Sequence, residues 1–328
     1  MTQNRVLYLS ERDVDRVLSR RDVIEMVESI LRQAGEEQII LGTNSFLPTG
    51  DGKHNQFIAM PVSIPQEKVL GLKWINIYEE PAPGFPFSHG NLVLVNHTET
   101  GSPLAIVSAT NITTMRTAGG HGVVAARHLA RKNPKVLTII GCGGQGRNGA
   151  GGFLEEFPSL EEIRLYDAYP EACQRITDQF SGKCRFVIAK TAREAVEGCD
   201  ILMTCSSSRE VLVQADWIQP GTTVIAINAF QDLDPAITYK ADRWILGSYQ
   251  EDTHNILNNP DRSHGQALES KRIQADLTEV IRGLKPGRTA PQEIVLYSHM
   301  GMGAFDVACA HVAYQRAVEQ GLGTVLPL

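Results

Sequence analysis

One segment restricts the fold of this chain more than any other: an apolar run at 137–140 leads directly into Gly141-Cys-Gly-Gly-Gln-Gly146. A Gly-x-Gly-x-x-Gly turn between a buried strand and a helix binds the pyrophosphate of a dinucleotide. Gly141 permits the tight bend, Gly143 lets the backbone approach the phosphates, and Gly146 allows the helix to pack closely on the strand. The segment therefore predicts a dinucleotide-binding domain.

An acidic residue after the next apolar run, 163–166, indicates which dinucleotide is bound. Asp167 lies about 20 residues beyond Gly146, where a carboxylate accepts bonds from the adenosine ribose and repels a 2′-phosphate. Residues 168–170 include no arginine or lysine. We therefore predict NAD rather than NADP. The expected cofactor contacts in this region are Gly141, Gly143, Gly144, Gln145, Gly146 and Asp167.

The pattern around this turn predicts the fold class. From residue 136 onward, short strand-like runs (136–140, 163–166, 185–188, 201–204, 223–227 and 244–246) alternate with helical segments. That alternation is typical of a doubly wound parallel sheet, the Rossmann fold. Before it, strand-like runs at 57–60, 68–75, 91–95 and 103–107 are separated by short turns, which favours an antiparallel or mixed sheet.

Helical patterns complete the secondary-structure prediction. Ser10 and Ser19 are expected N-caps, each followed three residues later by an aspartate, Asp13 and Asp22. A helix is also predicted over 110–131. Near the C-terminus, a strand at 293–297 and a long helix at 303–320 are expected to pack back onto the N-terminal part. We predict one domain from 1–115 with 299–328, and a Rossmann domain from 116–298 inserted in it.

Composition excludes several functional classes. The chain has 328 residues and a net charge of −6, which disfavours nucleic acid or an anionic membrane as a partner. The sequence has neither an eighteen-residue apolar run nor an apolar signal core at its N-terminus, so no membrane association is expected. The six cysteines are scattered, and His254, Asp261 and His264 lack a regular metal spacing. We predict a reduced cytoplasmic protein with no metal site.

Five segments together resemble the ornithine cyclodeaminase/mu-crystallin family. They are Gly71-Leu-Lys-Trp-Ile75, Thr100-Gly-Ser-Pro-Leu-Ala105, Thr113-Thr-Met-Arg-Thr117, the glycine turn ending in Gln145-Gly146, and Gly301-Met-Gly-Ala-Phe-Asp306. The resemblance implies a homodimer with an α+β substrate-binding and dimerisation domain around the Rossmann domain. It also implies hydride transfer between nicotinamide and the α-carbon of a small amino or imino acid.

The resemblance assigns the substrate carboxylate to two cations. Lys73 and Arg116 match the family's carboxylate-binding lysine and arginine. A lysine within a strand is costly to bury unless it is paired or faces a cleft, and an arginine can hold a carboxylate with two parallel hydrogen bonds. Thr113 and Thr117 could donate hydroxyl groups to cofactor or substrate, although capping of a helix also explains a threonine in Thr113's position.

The proton carrier stays open between several residues. Asp232 and Asp234 flank the position of the family's catalytic aspartate, which Leu233 occupies here. His89 has a side chain suited to acid–base chemistry near neutral pH. Asp306 belongs to a family motif, but a carboxylate in the first turn of a helix also stabilises the helix dipole.

Three functions remain open on the sequence alone. The leading one is an NAD-dependent amino-acid dehydrogenase or imine reductase. An ornithine cyclodeaminase is disfavoured because Asn44 stands where cyclodeaminases have a second arginine, and because the loop 228–235 differs from theirs. The third is a non-catalytic binding protein of the crystallin type that retains the cofactor fold.

Overall fold

The computed structural model describes residues 5–52, 55–78, 89–260 and 263–328. The chain divides into two compact units, Met1–Arg116 with Met302–Leu328, and Thr117–Gly301. The sequence places the corresponding boundaries after residues 115 and 298. Each unit is built around its own sheet.

The strands are β1 (Arg5–Leu9), β2 (Ile40–Leu41), β3 (Ser45–Pro48), β4 (Gln56–Ile64), β5 (Val69–Ile77), β6 (His89–His97), β7 (Pro103–Ser108), β8 (Val136–Ile140), β9 (Glu162–Tyr166), β10 (Arg185–Ile188), β11 (Ile201–Thr204), β12 (Thr223–Ala226), β13 (Arg243–Leu246), β14 (Ile273–Asp276), β15 (Val295–Ser298) and β16 (Thr324–Pro327). The α-helices are α1 (Glu11–Val17), α2 (Arg20–Gly35), α3 (Thr110–Thr114), α4 (Val123–Leu129), α5 (Gly144–Glu156), α6 (Pro170–Gln179), α7 (Ala192–Val196), α8 (Ile237–Lys240), α9 (Tyr249–Asp252), α10 (Leu277–Ile281) and α11 (Gly303–Gln320). A π-helical segment, Met115–Gly122, joins α3 to α4. Of the helices within the described ranges, none has both the length and the apolar character needed to cross a membrane.

The sheet of the first unit is mixed, as predicted. Its order is β16-β1-β7-β6-β5-β4-β2, with β3 paired to β4. Strands β4 to β7 form an antiparallel meander, whereas β1 pairs in parallel with β7 and antiparallel with β16. Helix α11 packs across β4, β5 and β6 and also contacts α2. The sequence pattern, which begins with helices, missed the edge strand β16 and its neighbour β1.

The predicted helix starts of the first unit are confirmed. The side chains of Ser10 and Ser19 each accept a hydrogen bond from the backbone amide three residues later, and the carboxylates of Asp13 and Asp22 accept one from the backbone amide of the capping serine. These reciprocal bonds satisfy amide groups that have no partner within the helix. The apolar face of α2 is buried, including Ile24 and Leu31.

The second unit contains the predicted doubly wound parallel sheet. Its order is β10-β9-β8-β11-β12-β15-β13-β14, and the neighbouring strands run parallel. Strand β8 is central, and the order of strands reverses beside it, between β8 and β11. The carboxyl edge of such a sheet at its reversal point is where doubly wound folds bind nucleotides. The α/β fold class is therefore confirmed.

One prediction about the C-terminal segment is wrong. Strand β15 does not leave the dinucleotide sheet with α11 but lies within it, between β12 and β13. All of its residues are buried, as is typical of a strand in a parallel sheet whose two faces are covered. Only α11 and β16 return to the first unit. An apolar run predicts a strand, but it carries no information about which strands will pair with it.

Candidate functional site

Lys73 is directed to the inside of the first unit by the register of the meander. In β5 it stands opposite Met60 of β4 and Val93 of β6, on the face that α11 covers. Its side chain is only 2% exposed. Because neighbouring residues of a strand point to opposite faces, Trp74 points to the outer face and is 38% exposed. A lysine buried in this way needs a negatively charged partner.

That partner is Asp306, in the first turns of α11. Its Oδ1 lies 3.0 Å from Lys73 Nζ and accepts a hydrogen bond from Thr113 Oγ1 at 2.6 Å. Its Oδ2 lies 2.9 Å from Arg116 Nε. Burial raises the pKa of Asp306, but the nearby Arg116 and Lys73 charges outweigh burial and lower it overall. Asp306 is therefore an ionised carboxylate held between two cations.

The position of Asp306 changes two sequence interpretations. The sequence leaves two roles open for Asp306, a site residue of the family motif and a carboxylate that stabilises the helix dipole, and in the structure this carboxylate pairs with two cations. Thr113 is predicted to contact the cofactor, whereas its hydroxyl group is engaged with Asp306. Thr117, the other predicted threonine, belongs to the second unit and is buried.

Arg116 has a hydrogen-bonding capacity that the described residues do not use. Its guanidinium carbon lies 5.9 Å from the centre of the Phe305 ring, which buries one face of the group. The Nη1 atom is buried and, among the described residues, has no hydrogen-bond partner. A buried donor without an acceptor is costly, commonly by about 1–3 kcal/mol and more for a charged group. An incoming carboxylate would remove that cost.

The charges of this cluster are unbalanced. Within the described part of the chain, Lys73 and Arg116 face one carboxylate, that of Asp306. Burial, followed by the Arg116 charge, lowers the pKa of Lys73 to about 8, although Asp306 opposes the shift. The cluster can therefore bind one more anion, and Lys73 is the member whose proton exchanges near neutral pH.

The glycine turn of the second unit has the geometry that a pyrophosphate requires. Gly141 adopts φ of +96°, and a Cβ atom on Gly146 would overlap the Gly141 carbonyl oxygen. A Cβ atom on Gly143 would meet no described atom within 4 Å, so this side of the turn is open. Helix α5 follows with Gly143 at its N-cap and, among the described residues, no side-chain cap at its first turn. Those amides are available for an anion.

Asp167 is fixed at the end of β9, beside this turn. Its Oδ2 accepts a hydrogen bond from the Cys142 amide at 2.6 Å, and its Oδ1 accepts one from the Tyr169 amide at 2.9 Å. A carboxylate has about four lone-pair sites, so it can also accept bonds from ribose hydroxyl groups. The turn and Asp167 together fit a dinucleotide without a 2′-phosphate. Gln145 instead supports the turn, since its Oε1 accepts a bond from the Ala118 amide.

The two aspartates after β12 hold loops in the second unit. The buried Asp232 accepts a hydrogen bond from the Ser206 amide at 2.8 Å, and burial raises its pKa. Asp234 accepts bonds from the amides of Ala236 and Ala215. Both carboxylates therefore have structural roles. His89 begins β6, but its side chain lies outside the described part of the structure.

The structure also contains a buried polar cluster that sequence spacing does not reveal. Tyr297 Oη lies 2.5 Å from His121 Nε2, and the rings of His121 and His299 are centred 4.0 Å apart. Burial raises the pKa of the nearby Asp252 to about 7, and this carboxylate accepts a bond from the Met300 amide. These residues come from separate segments of the chain with no shared motif, so their spacing does not predict the cluster.

Comparisons with known proteins agree with this geometry. An enzyme from Staphylococcus aureus, N-((2S)-2-amino-2-carboxyethyl)-L-glutamate dehydrogenase, is 32% identical over 84% of this chain and 82% of its own. The solved structure of Thermococcus litoralis Δ(1)-pyrroline-2-carboxylate reductase with NADH and L-proline superposes with a TM-score of 0.88. It is 29% identical and covers 97% of this chain and 99% of its own.

An archaeal alanine dehydrogenase, solved as a dimer with bound NAD, also superposes with a TM-score of 0.88. It is 27% identical and covers 99% of both chains. Residues 5–321 match the sequence model of a single family. This chain belongs to the ornithine cyclodeaminase/mu-crystallin family.

Proposed function

We propose that this chain is an NAD-dependent oxidoreductase that acts on the C–N bond of a small amino acid or reduces the corresponding imine. The observation that carries the proposal is the buried cluster of Lys73, Arg116 and Asp306, which has one positive charge in excess among the described residues and an unused donor at Arg116 Nη1. Such a cluster binds a carboxylate. The relatives named above act on, or were solved with, molecules that carry a carboxylate beside a C–N bond.

Each residue of the cluster has a separate task in this proposal. Arg116 Nη1 donates to one carboxylate oxygen of the substrate, and the Lys73 ammonium attracts its charge. Asp306 fixes both cations in place and, because those cations lower its pKa, stays ionised near neutral pH. Asp306 is therefore a positioning residue rather than the proton carrier.

We assign the proton that the substrate nitrogen gains or loses to Lys73 Nζ. Arginine does not deprotonate in proteins, and Asp306 does not protonate near neutral pH. Lys73, with a pKa of about 8, can do both. NAD, when bound, supplies the hydride acceptor or donor for the substrate's α-carbon.

A substrate screen tests the function. The purified protein is mixed with NADH and either 2-oxo acids plus ammonia or preformed cyclic imines, and the loss of NADH absorbance is followed. We expect oxidation of NADH with at least one member of these classes. With ornithine, release of ammonia without net change in NADH would replace the proposal by cyclodeaminase activity. Retained NADH binding with no turnover of any substrate would support the non-catalytic alternative.

The cofactor is NAD, and Asp167 is proposed to select it. Wild-type protein should have a much lower KM for NADH than for NADPH, because the Asp167 carboxylate repels a 2′-phosphate. Asp167→Asn keeps one acceptor oxygen but removes the charge. The ratio of the KM for NADPH to the KM for NADH should therefore fall by about tenfold or more, equivalent to about 1.4 kcal/mol. A wild-type preference for NADPH would contradict this assignment.

We also propose a homodimer formed through the outer face of the first unit's sheet. This face carries apolar side chains that alternate with the buried ones, and Trp74, Leu92 and Leu94 are each 38–41% exposed. Phe57 lies on the same face and packs against Trp74 in a tilted orientation, with 5.3 Å between the ring centres. An exposed apolar patch on a sheet is typical of a protein–protein interface, and the archaeal alanine dehydrogenase is a dimer.

The oligomeric state can be measured by light scattering during gel filtration. The wild-type protein should have the mass of a dimer, and Leu94→Arg should shift it toward the monomer, because the new charge would be buried at the interface. Leu284→Arg is the matched control, since Leu284 is an exposed leucine of the second unit. A monomeric wild type, or a Leu94→Arg variant that remains fully dimeric, would contradict the proposed interface.

These proposals give the two units different tasks. The first unit binds the substrate carboxylate and forms the dimer, and the second unit binds NAD. All six cysteines are free thiols, which is typical of a reducing compartment such as the cytoplasm.

A further inference from the structure

Two thiols meet at the pyrophosphate turn. Cys142 occupies the position between the first two glycines of the turn, and Cys173 lies in α6. Their sulfur atoms are 3.4 Å apart, which is hydrogen-bonding distance for sulfur. Both residues are buried. Cys142 and Cys173 are 31 positions apart in the chain, so spacing alone does not predict that they meet.

The surroundings make the two thiols chemically different. The hydrogen bond with Cys142 stabilises the thiolate form of Cys173 and lowers its pKa. The same hydrogen bond, followed by burial, raises the pKa of Cys142. Since the thiolate is the nucleophile in cysteine chemistry, Cys173 is the sulfur that reacts first with an oxidant.

We propose that Cys142 and Cys173 form a redox modification site, in which a peroxide converts the two thiols into a disulfide that weakens dinucleotide binding. The Cys173 thiolate attacks one peroxide oxygen and the O–O bond breaks, which gives a sulfenic acid and a hydroxide. The hydroxide takes up the proton that the Cys173 thiol released and becomes the first water. The Cys142 sulfur then attacks the sulfenic sulfur, the S–S bond forms, and the hydroxyl leaves as a second water with the Cys142 proton. Two thiols lose two electrons, and the peroxide gains them.

The disulfide would move the turn. A disulfide bond is about 2.05 Å long, so the sulfur atoms must approach from their present separation of 3.4 Å. The Cys142 amide is held by Asp167 at 2.6 Å, and the Cys205 thiol donates to the Gly141 carbonyl oxygen at 3.2 Å. A shift of Cys142 therefore disturbs the carboxylate and the glycines together. This consequence rests on the proposed binding of NAD; formation of the disulfide does not.

Peptide mapping tests the site itself. The reduced protein is treated with hydrogen peroxide, its remaining thiols are blocked under denaturing conditions, and the digest is analysed by mass spectrometry without reductant. We expect a Cys142–Cys173 cross-linked peptide that dithiothreitol removes. Cys184→Ser, a control thiol elsewhere in the unit, should leave this product unchanged, and Cys173→Ser should abolish it. Absence of the cross-link, or a Cys142–Cys205 link in its place, overturns the proposal.

NADH fluorescence tests the consequence. Oxidation of the wild type should weaken NADH binding about tenfold, equivalent to about 1.4 kcal/mol, and dithiothreitol should restore it. Peroxide should leave the affinity of Cys173→Ser unchanged. A mapped disulfide with unaltered NADH affinity overturns the regulatory effect. Failure of the reduced wild type to bind NADH at all would instead contradict the proposed function, while the mapped disulfide would still support the redox site.

Discussion

The Nε atom of Arg116 lies 2.9 Å from Oδ2 of Asp306, and both side chains are almost completely buried. This contact occupies one edge of the guanidinium group and leaves Nη1 without a partner among the described residues. The arginine is therefore held in place by one carboxylate while it remains able to bind another. This relationship underlies the first prediction.

Arg116→Lys should raise the substrate KM about 100-fold, because a lysine keeps the charge but lacks the planar, widely spaced donors by which a guanidinium holds one carboxylate and binds a second; such a factor corresponds to about 2.7 kcal/mol. The dissociation constant for NADH should stay within about twofold of the wild-type value, since Arg116 is not part of the glycine turn. Steady-state kinetics and fluorescence titration measure the two effects. Arg127→Lys is the control, because Arg127 also forms a two-bond pair, with Glu156. An unchanged substrate KM in Arg116→Lys would show that Arg116 does not bind the substrate carboxylate.

The pKa of Lys73 predicts how activity depends on pH. Lys73 is protonated below its pKa of about 8 and neutral above it. Reduction of an imine needs the protonated form, both to attract the carboxylate and to supply a proton. The value of kcat/KM in that direction should therefore be level below pH 8 and fall about tenfold per pH unit above it.

Lys73→Arg provides the matched test of this pH dependence. An arginine stays charged throughout this pH range. The kcat/KM of Lys73→Arg should therefore be lower than that of the wild type but should no longer fall near pH 8. Profiles of kcat/KM against pH for the two proteins give the comparison. A wild-type profile without an inflection near pH 8, or the same inflection in Lys73→Arg, would show that Lys73 does not control it.

Asp306→Asn should destabilise the protein by about 3–5 kcal/mol, because removal of one partner leaves buried charges uncompensated. Lys73 and Arg116 would then lie close together without the carboxylate that separates their charges. Thr113→Val removes the 2.6 Å hydrogen bond to Asp306 and should cost about 1.5–3 kcal/mol. Urea unfolding measures both free energies. A free energy of unfolding close to the wild-type value in Asp306→Asn would contradict the role of Asp306 in compensating the two buried cations.

Two glycines of the turn should respond differently to the same substitution. Gly143→Ala adds a methyl group that meets no described atom within 4 Å, so the melting temperature should stay near the wild-type value. The methyl group would still stand where the backbone must approach the phosphates, so NADH binding should weaken by about tenfold or more. Gly146→Ala introduces an overlap with the Gly141 carbonyl oxygen, and should lower both stability and NADH affinity.

Thermal unfolding and NADH titration of these two variants separate the effects. The comparison controls for the added methyl group itself, since both variants gain the same atom. Normal NADH affinity in Gly143→Ala would contradict the assignment of this turn to the pyrophosphate.

The sequence predicted the fold wherever the signal was local. The capping serines Ser10 and Ser19, the bounds of α11 and the strand before the glycine turn all depend on residues a few positions apart. The family and the α/β class are confirmed for the same reason, because the motifs are short and occur in order. Strand β15 was misplaced because pairing between strands is a long-range property.

The candidate site shows the same difference between what local motifs predict and what depends on long-range contacts. Lys73 and Arg116 could be named from motifs, whereas the sequence offered two explanations for Asp306 and could not choose between them. The contact that decides, between Thr113 and Asp306, joins residues 193 positions apart. The pairing of Cys142 with Cys173 and the cluster around His121 and Tyr297 were likewise not predictable from spacing.

By itself, the sequence determined where the chain turns, where its helices begin and which glycines leave room for a dinucleotide, because sterics and backbone hydrogen bonding act over a few residues. Only the tertiary structure decided that Lys73 and Arg116 share the Asp306 carboxylate with a donor left over. The physical reason is that electrostatic partners and burial depend on which elements pack together. The packing of α11 on the meander places the Asp306 carboxylate beside the Lys73 and Arg116 cations.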